Sequence, residues 1–345
     1  MNHTRFPSRN MHQGYPAENL VRFLKARDWN VPKAHKMLVD CLNWRTQNEI
    51  DNILAKPIIP TDLYRAVRDS QLIGMSGYSK EGIPVITFGL STFDKASVHY
   101  YIQSHIQMNE YRDRVLLPSA TEKFGRHINT CVKVLDMTGL KLSALNQIKL
   151  LTAIATIDDL NYPEKTDTYY IVNAPYIFSA CWKVVRPLLQ ERTRKKIQLL
   201  PGSGKDDLLK IDKGERVFHE LGSGAYQTKL SRVSYSIIMD YESLPHFCKR
   251  EGSGSSRHSR NGTAENCFSL DHPFHQQLYN YIMQQAVHKA APIKQGSFHV
   301  NYPEPDPKDV KIAETIESEF QRFGGQIGGQ NGLSDSLRGV KINSD

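Results

Sequence analysis

The densest run of chemistry-bearing residues is Arg192-Thr-Arg-Lys-Lys196, four cations interrupted only by Thr193. Such a block complements a helix C-terminus or meets an anionic bilayer, where each cation contributes about 1 kcal/mol. Just beyond it, Pro201-Gly-Ser-Gly-Lys-Asp206 has the outline of a phosphate loop. It fails on spacing: Leu199 stands where the first glycine belongs, and Asp206 where Ser or Thr would hold magnesium. The strings at Gly202, Gly222 and Gly252 never reach the Gly-x-Ser-x-Gly of a nucleophile elbow, so a serine hydrolase has no motif behind it. His272 and His275 follow Asp271 at a spacing that puts two imidazoles on one helix face, but no third ligand is in readable reach. They read as solvated residues of a helix start. Asp136, ending an apolar strand, reads as a cap for the next turn. No catalytic group, metal site or cofactor is expected.

The elements that must position these residues follow from periodicity. Leu20, Phe23, Leu24, Val31, Ala34, Met37, Leu38, Cys41 and Leu42 recur at helical spacing, with a break at Asp28 to Pro32. Residues 1–60 therefore read as an N-terminal tail and helical module. Pro84 to Leu90, Thr130 to Met137, Tyr169 to Val172 and Lys196 to Leu200 are β-branched or aromatic runs separated by helical stretches such as Lys141 to Ile157. That alternation predicts an α/β domain with a mixed, largely parallel sheet over residues 61–254. The Gly/Ser-rich stretch after Glu251 is linker chemistry. Residues 255–345 read as linker, a helix at about 272–288 and a mostly disordered tail.

The 345 residues, 39% hydrophobic and 23% charged, can bury a large core. Lys+Arg 44 against Asp+Glu 36 leaves +8, which favours an anionic partner, nucleic acid or phospholipid. Neither a nucleic-acid module nor an interleaved aromatic and basic stripe is found, so no nucleic acid is expected. Five scattered cysteines without a C-x-x-C pair indicate buried thiols in a reducing compartment. The first residues lack the apolar core of a secretory signal, and no run approaches the roughly 20 apolar residues that span a bilayer.

The stretch Asp159 to Leu200 carries the specificity. Tyr162-Pro-Glu164, Tyr170-Ile-Val-Asn-Ala-Pro175, Ile177-Phe-Ser179 and Thr193-Arg-Lys-Lys-Ile197 stand in fixed order. Upstream lie Leu20-Val-Arg-Phe-Leu-Lys-Ala-Arg27 and Val134-Leu-Asp-Met-Thr-Gly139. Together, over about Glu18 to Gly254, they resemble the CRAL-TRIO lipid-binding family, close to its plant phosphatidylinositol/phosphatidylcholine transfer proteins. The resemblance implies a sheet floor and helical walls around an apolar pocket for one phospholipid, closed by a mobile lid helix. It implies an inositol phosphate site at Arg27, Glu164, Lys165, Thr193 and Lys196. Lys165 replaces a family arginine, keeping the charge but losing the bidentate fork. The lid would carry Ile177, Phe178, Cys181, Val184, Val185 and Leu188. At the phosphatidylcholine positions stand Met75, Ile86, Tyr111, Cys131 and Lys133, of which only Tyr111 keeps the family type, so the resemblance leaves the second lipid open between phosphatidylcholine and another.

The chemistry suits the residues. A diacyl lipid hides on the order of 30 methylenes, roughly 25 kcal/mol of apolar transfer energy, and a few charge-assisted hydrogen bonds of about 1.5–3 kcal/mol each select the head group. The expected protein is a monomeric, non-enzymatic carrier of phosphatidylinositol and a second, unidentified lipid. It would be cytoplasmic, peripherally attached to Golgi, endosomal or plasma membrane through an anionic surface, and able to present lipid to lipid kinases. A lipid-sensing scaffold without transfer is the alternative, with a lipid esterase behind it. Within the domain, residues 212–238 interrupt the family pattern and read as an insertion extruded as a loop.

Overall fold

A computed structural model of the protein describes residues 17–90, 98–140, 148–189, 191–209, 238–249, 265–288 and 307–328. Helices α1 (Ala17–Ala26) and α2 (Val31–Gln47) open it, with Phe23, Ala26, Ala34, Met37, Leu38 and Cys41 packed between them. Pro32 occupies the first turn of α2, where its missing N–H is not needed, and the Asn30 side chain accepts the Lys33 N–H at 3.0 Å. A 3-10 turn (Ile50–Ala55) and α3 (Thr61–Gln71) lead into the sheet.

The sheet holds β1 (Ile73–Tyr78), β2 (Pro84–Phe88), β3 (Cys131–Asp136), β4 (Thr166–Val172) and β5 (Ile197–Leu199), side by side in chain order. β1 runs antiparallel to β2 and the other neighbours are parallel. Sequential parallel strands with right-handed crossovers put their connecting helices on one face. Between β2 and β3 run α4 (Val98–Tyr111), a π turn (Arg112–Leu116) and α5 (Leu117–Phe124) as one helical stretch. The π turn has a cause in Pro118, which offers no N–H and crowds the carbonyl four residues back; widening the turn relieves both. Helix α6 (Ile148–Asn161) joins β3 to β4, and α7 (Tyr176–Val185), a 3-10 turn (Arg186–Leu188) and α8 (Glu191–Lys196) join β4 to β5.

Strand alternation sorts the core into two layers. Met75, Ile86 and Cys131 face Ile102 and Ile106 of α4 and Ile157 of α6. Val85, Val132, Val134, Tyr170 and Val172 face the other way. They are covered by Leu208 of α9 (Lys205–Leu209), Phe247 of α10 (His246–Lys249) and Phe268. Helix α11 (Pro273–His288) sends Phe274, Leu278 and Ile282 into the first layer.

Three features depart from the sequence expectation or extend it. Strand β1 was not anticipated, because Gly74 and Gly77 break its alternation. Gly74 is required: a Cβ there would stand 1.8 Å from the Cys267 carbonyl oxygen. Within the tail, α12 (Pro307–Gly328) is a 22-residue helix that runs on through Gly324 and Gly325, while residues 289–306 and 329–345 lie outside the described residues. Its order comes from tertiary packing along α7 and against α6, which compensates for the glycines. Residues 210–237, most of the expected insertion, lie outside the described residues, as does the linker at 252–262. The chain nevertheless leaves and returns at one point, where the Met239 N–H donates to the Leu208 carbonyl at 3.3 Å.

Candidate functional site

A cluster of charges forms where α1, the turn before β4 and α8 converge. Glu164 sits on that turn in a left-handed conformation, φ 56°, which turns its carboxylate toward α8. The Lys196 ammonium lies 2.7 Å from Glu164 Oε2 and donates to the Thr166 carbonyl at 3.0 Å. Arg192 stands 3.8 Å from Glu164 Oε1 and donates to the Lys25 carbonyl at the end of α1 at 2.8 Å. From beneath, Arg22 donates to the carbonyls of Glu164 and Asn129 and pairs with Glu18 at 2.9 Å. Thr193 is exposed on α8 beside Arg192. Both Glu164 and Lys196 remain partly exposed, so a ligand oxygen can reach them.

Two of the five expected head-group residues point elsewhere. Lys165, between the left-handed Glu164 and the start of β4, turns inward to Asp113 Oδ2 at 3.3 Å. Burial pushes its ammonium down, with Asp113 opposing that shift. Arg27 lines a recess of about 700 Å³ with Lys33, Lys36, Met37 and Trp44, and donates to the Ala26 carbonyl at 2.9 Å.

Under α4 the expected second-ligand residues are only partly united. Ile86, Cys131 and Lys133 line one small cavity with His105, Asn109 and Arg112. Met75 and Tyr111 are buried in the surrounding core, and Tyr111 meets Phe274 and Tyr281 of α11 edge-on at 6.3 and 5.5 Å. The family resemblance implies a deep apolar pocket over the sheet, whereas this cavity measures about 20 Å³, enough for one water. The difference has an electrostatic cause. Asp158 of α6 accepts from His105 and Asn109 at 2.7 Å each and lies 3.5 Å from the Lys133 ammonium. Arg112 bridges Asp113 and Asn109 at 2.7 Å each. Asp158 thereby ties α6 to α4 and to β3, while the Arg112 contacts stay within the α4 stretch. Burial raises the Asp158 carboxyl, but His105, Lys133 and Arg112 outweigh it and hold it far below the usual carboxylate range. Asp113 is lowered in the same way by Arg112 and Lys165.

Helix α7, the expected lid, presents a rotated stripe. Cys181 and Val185 are buried, Phe178 stacks on Trp182 at 6.2 Å, and Val184 and Leu188 face solvent. The side chain of Ile177 lies outside the described set. Cys181 and Val185 are four apart on one face, while Pro187 ends the α-helical pitch before Leu188 joins it.

Other sequence expectations meet the structure as follows. Asp136 Oδ1 accepts from Thr138 N at 3.0 Å and Asn173 Nδ2 at 2.8 Å, a turn cap. His275 is no solvated residue: it is 2% exposed, with Nδ1 3.0 Å from Arg68 Nη2 and Nε2 donating to the Cys267 carbonyl at 3.0 Å. All five cysteines are free and buried. Arg22, His105, Asp113 and Asp158 were missed by sequence reasoning. Only Arg22, a charge between Val21 and Phe23 on an apolar helix, left a signal.

Comparison with known proteins names the class. The CRAL/TRIO domain matches residues 68–222 and the CRAL/TRIO N-terminal domain residues 8–40. The chain belongs to the CRAL-TRIO family. It is 28% identical over 200 residues to the phosphatidylinositol/phosphatidylcholine transfer protein SFH9 of Arabidopsis thaliana, covering 56% of this chain and 34% of that protein. With SFH12 of the same plant the identity is 26% over 255 residues, 72% and 46% of the two chains. Protein real-time of Anopheles gambiae is 31% identical over 196 residues, 54% and 28%. The chain thus spans less than half the length of these relatives. The crystal structure of Sfh5 aligns at 19% identity and a TM-score of 0.38, over 58% of this chain and 70% of that one.

Proposed function

We propose that this chain binds phosphatidylinositol and transfers phospholipid between membranes. The observation that carries the reading is the Glu164–Lys196 pair, held at 2.7 Å beside Arg192 at the foot of the lid. A partly exposed carboxylate accepts inositol hydroxyl protons, and two flanking cations neutralise a phosphate, each bond contributing about 1.5–3 kcal/mol. Family membership and relatives named for phosphatidylinositol and phosphatidylcholine transfer support it. No bond is made or broken, so the protein acts as a carrier and not as an enzyme.

In this reading α7 is the mobile lid. Two acyl chains need far more than the 20 Å³ over the sheet, so loading moves α7 and displaces α12, which lies along it. Lys133 and Arg112 line that cavity and repel a quaternary ammonium, which favours a second lipid other than phosphatidylcholine. The buried free thiols and the +8 charge support a cytoplasmic protein, monomeric and peripherally attached to anionic Golgi, endosomal or plasma membrane, that presents its inositol lipid to lipid kinases.

The test is the double variant Glu164→Ala, Lys196→Ala. Native mass spectrometry should show phosphatidylinositol on the parent chain and none on the folded variant, and vesicle-to-vesicle transfer should fall with it. Undiminished uptake by the variant overturns the assignment; uptake without transfer in the parent leaves the scaffold reading in its place.

A further inference from the structure

Helix α1 ends at Ala26 and α2 begins at Val31, and the turn between them carries two consecutive left-handed residues, Asp28 at φ 50° and Trp29 at φ 62°. The Trp29 N–H closes α1 by donating to the Leu24 carbonyl at 2.8 Å, the place where helices usually put glycine or asparagine. A bulky side chain is strained there. The conformation also turns the indole away from the module's core of Phe23, Ala26, Met37 and Leu38, leaving Trp29 62% exposed and Val31 beside it 64% exposed. Both choices cost stability in water. An apolar phase covering the tip would offset both.

The surroundings say which. Lys25, Lys33 and Lys36 are exposed around the turn and Arg27 is half-buried, against Asp28 and Asp40. Arg27, Lys33 and Lys36 also line the 700 Å³ recess together with Asp40, Met37 and Trp44, so cations and apolar groups alternate beside the tip. Tryptophan prefers the zone between head groups and acyl chains, where its ring is buried and its N–H stays wet, and lysines around it favour anionic lipid. Arg192 of α8 donates to the Lys25 carbonyl at 2.8 Å, which ties this turn to the element that bears Lys196.

We propose that the α1–α2 turn is a membrane-docking tip. Trp29 and Val31 enter the interfacial layer of an anionic bilayer while Lys25, Arg27, Lys33 and Lys36 meet lipid phosphates, setting the Glu164–Lys196 pair at the membrane surface. The inference rests on the lipid-carrier reading above but concerns a different surface, and its test separates the two.

The full chain and its Trp29→Asn variant are compared on phosphatidylcholine vesicles with and without phosphatidylserine. Sedimentation and quenching of tryptophan fluorescence by brominated acyl chains are the readouts. Asparagine suits a left-handed position, so the variant keeps or gains melting temperature. Its partition onto anionic vesicles should fall roughly tenfold, since an indole supplies much of the apolar area at such a tip. Its quenching should fall in step, and the parent should bind vesicles without phosphatidylserine less well. Binding of a soluble short-chain phosphatidylinositol should be equal in the two proteins; if the parent fails to bind it yet docks through Trp29, the carrier reading falls and the tip stands. Equal vesicle binding and quenching by parent and variant overturns the tip, as does a parent that binds no vesicles, which would leave a protein partner to cover Trp29.

Discussion

Two charge clusters in this molecule use the same residue types to opposite ends. Around Asp158, beneath α4, a histidine, an asparagine and a lysine converge on one carboxylate within 2.7–3.5 Å, closed over a space for one water. Around Glu164, at the edge where α1 and α8 meet, one cation pairs at 2.7 Å and a second stands off at 3.8 Å, with both side chains partly open to solvent. The two carboxylates are equally open, 20% for Asp158 and 19% for Glu164, and their partners make the difference. His105 and Lys133 are only 6% and 15% exposed, so the Asp158 group holds the fold, whereas Lys196 and Arg192, at 31% and 30%, can trade Glu164 for a phosphate at less cost.

Removing an acid from each cluster gives the largest test of that contrast. Asp158→Ala leaves Lys133 and His105 in a poorly solvated space with one partner fewer and should lower unfolding free energy by about 3 kcal/mol, read from the denaturant midpoint. Glu164→Ala should lower it by less than about 1 kcal/mol. Equal losses would end the distinction between a structural and an exchangeable cluster.

Acid should sharpen it. Burial and the neighbouring Arg68 hold the His275 imidazole well below its ordinary value, so it is neutral in the fold and takes a proton on unfolding below about pH 6.5. The stability it contributes is present above that pH and is lost as pH falls, at up to about 1.4 kcal/mol per unit. Asp158 and Asp113 are also depressed, so their contribution holds above about pH 4 and is lost below it. Melting temperature against pH should therefore show two descending limbs, and His275→Gln should flatten the upper one alone.

The smallest effect is expected on the exposed face of α8. Lys195 pairs with Glu191 in open solvent, and Lys195→Ala should leave the melting temperature unchanged while weakening retention on phosphatidylserine vesicles, most visibly at low salt.

Much of the fold was legible in the chain because the signals were local. The module's helices, β2 to β5 and α11 follow from periodicity, and Pro32 and Pro175 mark helix starts. Strand β1 was not legible, because Gly74 answers to the Cys267 carbonyl, a neighbour nearly two hundred residues away, and Gly77 to Ser243. The candidate site was half legible. Glu164 and Lys196 sit in recognisable strings, but nothing local says that Lys165 turns to Asp113, or that Val184 and Leu188 lie outside the buried line of Cys181 and Val185.

The sequence by itself determined the kind of chain this is: a basic protein with a helical module and an α/β domain, its cations gathered at Arg192 to Lys196. Those properties are sums and repeats along the backbone. Only the tertiary structure decided which charges close on one another and which stay open to a ligand. It also decided that His275 is buried, that α12 orders along α7, and that Trp29 stands in solvent. Pairing and exposure depend on distances between segments far apart in the chain, and no local pattern encodes them.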